Sequence, residues 1–234
     1  MKPKFACVYK TGGDYNHLDA LRLKHNIEKH TSMDFEFICL TDDMLLLPTV
    51  DAALTHGGKN GEANILEDVD YWAQPLFNGW GGWWSVVELF RLQGPIVVTG
   101  LDTVFVDSVD PLLELALECG PEDFYMIHAF KKREVFASGF MIWSGDWRWV
   151  YNNFNFKRHA RHYQWEQRYT KAQLAKRDIK IKAVQDFVSG VYSYKHHVRG
   201  KGLPGDARAI LFHGTPRPGR VDRRVERWLE EAWS

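Results

Sequence analysis

Ile96-Val97-Val98-Thr99-Gly100-Leu101-Asp102-Thr103-Val104-Phe105-Val106-Asp107 is the stretch whose reading decides the fold. Residues 96–99 are β-branched and apolar and predict a buried strand, and residues 103–106 predict a second extended run. Between them stand Gly100, Leu101 and Asp102. A carboxylate at this point sits at the C-terminal end of a strand, where open α/β sheets bind their ligands. It can hold a divalent cation, and the cation a diphosphate. It can also do no more than end the strand in a turn.

Outward from this stretch the chain alternates strands and helices. Residues 5–9 predict a first strand, and Lys10-Thr11-Gly12-Gly13-Asp14 a turn that opens a helix. Asp14 is the expected N-cap, with Leu18, Leu21 and Ile27 as a partial apolar stripe running to about His30. Residues 35–40 predict a second strand that ends at Thr41-Asp42-Asp43. That is a β-α-β start whose strand ends point polar groups the same way. The Gly12-Gly13 turn lacks the dinucleotide fingerprint, so a nicotinamide site of that type is excluded. The turn could let backbone approach a nucleotide or be an ordinary connection.

Residues 44–82 read as an irregular loop or insertion, with glycine-rich breakers at 57–61 and 78–82. A helix over 83–92 then leads into the strand at 96–99. Residues 111–118 predict a helix with proline at its start, where the missing N–H costs nothing. Strands are expected at 124–127, 139–143, 179–184, 191–194 and 209–212, and a charged terminal helix over 220–233. The fold class is α/β, with one domain over 1–219 and a helical tail over 220–234.

The chain has 234 residues, 45% hydrophobic, and no net charge. The balance is uneven along its length. Residues 1–156 carry 12 Lys and Arg against 22 Asp and Glu, a net −10, and residues 157–234 carry 18 against 8, a net +10. A basic end suits a polyanionic partner, or two faces of one molecule that attract each other. Within the expected helical segment 146–178, Trp147, Trp149, Tyr151, Phe154 and Trp165 interleave with Arg148, Lys157, Arg158, Arg161 and Arg168. Such interleaving suits nucleic acid or an anionic sugar polymer. The same pattern belongs to amphipathic helices whose aromatics face the core. Cys7, Cys39 and Cys119 are odd in number and widely spaced, and read as buried free thiols in a reducing compartment. Lys2-Pro3-Lys4 precedes too short an apolar run for a signal peptide, and no run approaches the roughly 20 residues that span a bilayer. A cytoplasmic protein is expected.

Four segments together carry a family resemblance: Trp83-Trp84-Ser85-Val86-Val87-Glu88-Leu89-Phe90-Arg91, Leu101-Asp102-Thr103-Val104, Ser138-Gly139-Phe140-Met141, and Phe212-His213-Gly214-Thr215-Pro216-Arg217-Pro218. In order and spacing they resemble the GT-A glycosyltransferases. The chain is similar to glycosyltransferase family 8 and to small phage and bacterial relatives. The resemblance implies a Rossmann-like mixed central sheet flanked by helices, a nucleotide-sugar donor, usually UDP-linked, and Mn²⁺ or Mg²⁺. It implies Asp102 and His213 as metal ligands, with Asp102 as the second Asp of the family's D-x-D. Arg217 would contact the diphosphate, which a guanidinium can do with two hydrogen bonds. Val8, Tyr9, Lys10, Thr11, Thr41 and Asp42 would line base and ribose. Trp84, Gly100, Leu101, Ser138, Gly139 and Gly214 would complete the donor site.

Glu166 and Gln167 resemble the acidic-amide pair beside the transferred sugar. They can also be read as polar residues on a solvated helix face. The chain departs from the family at Gly100, where the first carboxylate of D-x-D is absent, and at Val86 and Ala129, where relatives tend to carry Lys and Asp. Asp107 is an alternative ligand, five residues further on. The basic end makes nucleic acid a candidate acceptor, for instance hydroxymethylated bases of phage DNA. A glycan or protein acceptor is the competing enzyme reading. A binding module without transfer activity and a nucleotidyltransferase are the other two readings.

Overall fold

The computed structural model describes residues 1–47 and 72–233. Most of the loop expected over 44–82 therefore lies outside the described residues. The first strand, β1 (Lys4–Tyr9), is followed by helix α1 (His17–Lys29) and strand β2 (Glu36–Thr41). Helix α1 starts later than expected because Asn16, not Asp14, is its cap. The Asn16 side chain accepts from Leu18 N at 2.9 Å, and Asp19 accepts from Asn16 N at 2.9 Å. Leu18 and Leu21 stay exposed, and the face packed on the sheet is Ala20, Leu23 and Ile27.

Strand β3 (Ala73–Pro75) and a 3-10 helix (Gly82–Arg91) precede β4 (Ile96–Thr99) and β5 (Thr103–Phe105). Glu88 explains part of this irregular region. Fully buried, it accepts Phe77 N and Asn78 N at 2.8 Å each, which satisfies loop N–H groups that have no strand partner. After β5 come α2 (Asp110–Glu118), β6 (Phe124–Ala129) and β7 (Lys132–Trp143). Three short helices, α3 (Arg148–Asn152), α4 (Phe156–Tyr163) and α5 (Glu166–Ala175), lead to β8 (Ile181–Ala183), β9 (Val191–Ser193) and β10 (Ala209–Leu211).

Among the described residues the main sheet has the order β3-β2-β1-β4-β7-β6-β8. Its β3-β2-β1-β4 half is parallel, and β7 runs antiparallel to both β4 and β6. A second sheet has the order β5-β10-β9. The parallel strands are buried on both faces, which is why they read as continuous apolar runs. Cys7, Cys39 and Cys119 are free and buried, as expected. Much of the aromatic segment is core. Trp147 and Tyr169 are fully buried, and Phe154 stacks on Trp84.

The chain's last helix, α6, covers only Trp228–Ala232, not the whole of 220–233. Tertiary contacts of Glu226 and a local turn at Asp222 replace the expected helix. Buried Glu226 accepts from Trp228 Nε1 at 2.8 Å, from Tyr194 OH at 3.2 Å and from Gly200 N at 3.3 Å. Asp222 is taken by Arg224. Among the described residues no helix is long and apolar enough to cross a membrane.

Candidate functional site

The parallel strands β1, β2 and β4 end on one edge of the main sheet, and the candidate residues gather there. Strand register pairs Tyr9 with Thr41, so the next residues, Lys10 and Asp42, meet. Lys10 Nζ donates to Asp42 at 2.6 Å, and Thr11 donates to it from N at 2.8 Å and from Oγ1 at 3.2 Å. Burial works to raise the Asp42 pKa, but these donors outweigh it and hold the carboxyl below its ordinary value. Tyr9 and Thr41 are buried behind this pair, and Val8 is half-buried.

Strand β4 ends in the turn that closes with Thr103 N donating to Gly100 O at 3.1 Å. Leu101 turns into the core. Asp102 is half-buried at the turn, its side chain 21% exposed. Antiparallel pairing of β5 with β10 brings the far end of the chain to it. Leu211 lies opposite Thr103, and Phe212 N donates to Asp102 O at 2.8 Å. Arg217 then returns over the turn and donates to Asp102 Oδ2 at 2.6 Å and to Asp14 at 3.2 Å. Its guanidinium also lies over the Tyr15 ring, 4.8 Å from the centroid. Burial raises the Asp102 pKa above its ordinary value, against the opposing pull of Arg217 and Tyr15.

His213 is partly exposed. Its Nε2 lies 2.6 Å from Ser193 Oγ, and its ring stacks on Phe130. Partial burial, then Lys195, His196 and His197, push its pKa down to about 4, so the ring is neutral at neutral pH. Gly214 follows in the left-handed region at φ +78°, and a Cβ there would lie 2.9 Å from Lys195 Nζ. Glycine at this point therefore serves both the turn and the close approach of the ammonium.

Strand β7 passes the same edge. Thr99 pairs with Phe140, so Ser138 and Gly139 lie just beyond β4. Ser138 Oγ donates to Glu166 at 2.5 Å, and Ser138 N donates to Gln167 Oε1 at 3.3 Å. Glu166 is therefore a buried group rather than part of a solvated helix face. Its burial raises the carboxyl pKa against the Ser138 hydrogen bond. Gly139 is required by packing, since a Cβ would meet Leu211 Cδ2 at 2.5 Å and Ile127 Cδ1 at 2.7 Å. Trp84, 7% exposed against Phe154, is a core residue. Tyr15, Lys195 and Phe130 belong to the site but were missed in the sequence. Only Lys195 left a signal, as the first residue of a Lys-His-His run after a strand.

The residues present do not fit a divalent ion. Among the described residues no three His, Cys, Asp or Glu side chains converge on one point. Asp102 is paired with Arg217, and His213 Nε2 is taken by Ser193. At Gly100, where a second carboxylate is wanted, a Cβ would already lie 2.6 Å from Asp102 Oδ1. Asp107 accepts from Ser108 N, and among the described residues it makes no hydrogen bond to this corner.

A concavity of about 680 Å³ lies on α4 and α5 and shares no lining residue with this corner. Arg158, His159, Arg161, His162, Tyr163 and Lys176 line it, without any carboxylate.

A half-parallel sheet whose strand ends carry the candidate residues, closed by a small second sheet from the chain's far end, is the GT-A fold of glycosyltransferases. The chain is similar in structure to the glycosyltransferase GlyE of Streptococcus pneumoniae, at TM-score 0.59 and 12% identity over 98% of this chain and 59% of that one. It is similar to the galactosyltransferase LgtC, solved with donor and acceptor sugar analogues, at TM-score 0.55 and 10% identity over 99% of this chain and 96% of that one. It is also similar to the bifunctional glycosyltransferase WbbM, at TM-score 0.57 and 10% identity over 99% of this chain and 50% of that one. The chain thus spans little more than half the length of GlyE and half that of WbbM. No family model matches the sequence, and no curated protein matches it.

Proposed function

We propose that the chain transfers a sugar from a nucleotide diphosphate, UDP-linked, to an acceptor hydroxyl. The observation that carries this reading is the Arg217–Asp102 contact. It joins the strand-end carboxylate to a guanidinium 115 residues away, on the edge where GT-A sheets take their donors. The neighbouring Lys10–Asp42 pair offers polar groups for base and ribose, and Glu166 and Gln167, tied through Ser138, offer them for the transferred sugar. In the reaction the bond from the anomeric carbon to the diphosphate oxygen breaks, and its electron pair leaves with the diphosphate. The acceptor oxygen forms the new bond, and its proton passes to the departing diphosphate. Cations at the diphosphate stabilise that leaving group. Mn²⁺ or Mg²⁺ is not given a step, because the donor set described above falls short of one.

The acceptor we favour is a hydroxylated base in nucleic acid. The support is the carboxylate-free cleft on α4 and α5, which suits a phosphate backbone better than a neutral glycan. The second reading is a binding module without transfer, which Gly100 favours. Thermal stabilisation across nucleotide sugars and free nucleotides tests the donor site. The expected result is stabilisation by UDP and UDP-sugars that Arg217→Ala abolishes. Equal response to all nucleotides, unchanged in that variant, would remove the donor assignment. Binding of DNA at low salt that Arg158→Ala and Arg161→Ala weaken supports the acceptor. Absence of any binding to duplex or single strand at low salt would reject it.

A further inference from the structure

We propose that Lys195 is the second cation of the donor site, and that it and Arg217 receive the diphosphate without a divalent ion. This rests on the nucleotide-sugar reading above. Lys195 opens a wide helical turn (Tyr194–Val198) directly after β9, and the turn carries its ammonium to Gly214. The side chain is half-buried, and among the described residues it makes no hydrogen bond or ion pair. Beside it His196 and His213 lie with ring centroids 5.5 Å apart, and Lys201 Nζ donates to His196 O at 2.9 Å, so further cations stand close and none of these contacts is to a carboxylate. An ammonium withdrawn from water beside other cations is costly unless an anion joins it. The carboxylates of Asp102 and Asp14 accept from Arg217 and not from Lys195.

A divalent ion at this corner would find one carboxylate, already paired, and an ammonium that repels it. A diphosphate would find an ammonium that attracts it and, in Arg217, a guanidinium it shares with the aspartates. Lys195 offers three donors on a compact charge, and Arg217 offers a planar fork already oriented by two aspartates. Gly100 fits this arrangement. A Cβ there would lie 2.6 Å from Oδ1 of the carboxylate that Arg217 holds through Oδ2.

The test is calorimetric binding of UDP and of uridine to the whole chain, in EDTA and in Mn²⁺. Expected are UDP binding in EDTA of the same affinity as in Mn²⁺, and a roughly 10- to 100-fold loss in Lys195→Ala. Uridine, which has no diphosphate, should bind this variant as it binds the parent chain. Lys195→Arg should keep most of the affinity, and Lys180→Ala, at an exposed lysine, should keep all of it. A thermal midpoint for each variant shows that it is folded. UDP binding that needs Mn²⁺, or that Lys195→Ala leaves unchanged, overturns the inference and leaves the donor reading standing. Failure of UDP and every other nucleotide to bind in either condition overturns both.

Discussion

The Asp102–Arg217 contact can be tested by a double-mutant cycle in the absence of any ligand. The pair is 2.6 Å apart, and its side chains are 21% and 23% exposed. Exposed ion pairs couple by about 0.2–1 kcal/mol, and breaking a buried one costs about 3–5 kcal/mol. A pair with about a fifth of its surface in water falls between these limits, so a coupling of about 2 kcal/mol is expected. Arg217→Ala should be the more damaging single change. It leaves Asp102 charged beneath the turn and frees Asp14 as well. Asp102→Asn should cost less, because the amide still accepts a hydrogen bond from the guanidinium. In the double variant no buried charge is stranded, so its loss should fall short of the sum of the singles by about 2 kcal/mol. The assay is urea unfolding at pH 7, with thermal midpoints as a second reading. For a chain of this size about 2–4 °C corresponds to each kcal/mol. Additivity to within about 0.5 kcal/mol would show that the two residues do not depend on each other, and would refute the geometry on which the site is built.

Other perturbations follow from single contacts. Buried Asn26 accepts from Phe105 N at 2.7 Å and donates to Phe105 O and Ala232 O at 2.9 Å each, so Asn26→Ala should cost about 2–4 kcal/mol in urea unfolding. A loss under about 0.5 kcal/mol would contradict that bonding. Gly139→Ala should cost about 1–3 kcal/mol by overpacking β7 against β10, and a stabilised variant would show that the two sheets are further apart than described. Glu166 has a folded pKa raised by burial. Its favourable contribution is present in full below the unfolded carboxyl value and is lost as pH rises through the folded value. Glu166→Gln should therefore gain on the parent chain in urea midpoints between pH 4 and pH 8. A constant or shrinking difference contradicts the assignment.

The β-α-β start and the strand at 96–99 were legible because residues buried on both faces leave apolar runs that only one kind of element explains. The same holds for β9 and β10, whose short runs were placed to within a residue. Two features were not legible. The start of α1 depends on whether Asp14 or Asn16 caps it, and both residue types serve as caps. The choice fell to Asn16 because Asp19 completes the capping box and Arg217 takes Asp14. The tail reads as a helix by composition, but Glu226 spends its carboxylate on Tyr194 and Gly200, far away in sequence, and Asp222 is held in a local turn by Arg224. In the site, Asp102 and Arg217 could be named from motif order alone. Their pairing could not, since it depends on the antiparallel register of β5 and β10 across more than a hundred residues. Trp84 enters the donor site only through the motif order of the resemblance. Its burial is decided by Phe154, which arrives from a distant helix connection.

Transfer from a nucleotide sugar is tested most directly by release of UDP from a panel of UDP-sugars by the purified chain. With one sugar of the panel, release above the uncatalysed rate is expected, reduced at least tenfold in Asp102→Ala and Arg217→Ala variants that remain folded. Release that is absent with every sugar, or that is the same in both variants as in the parent chain, would contradict it.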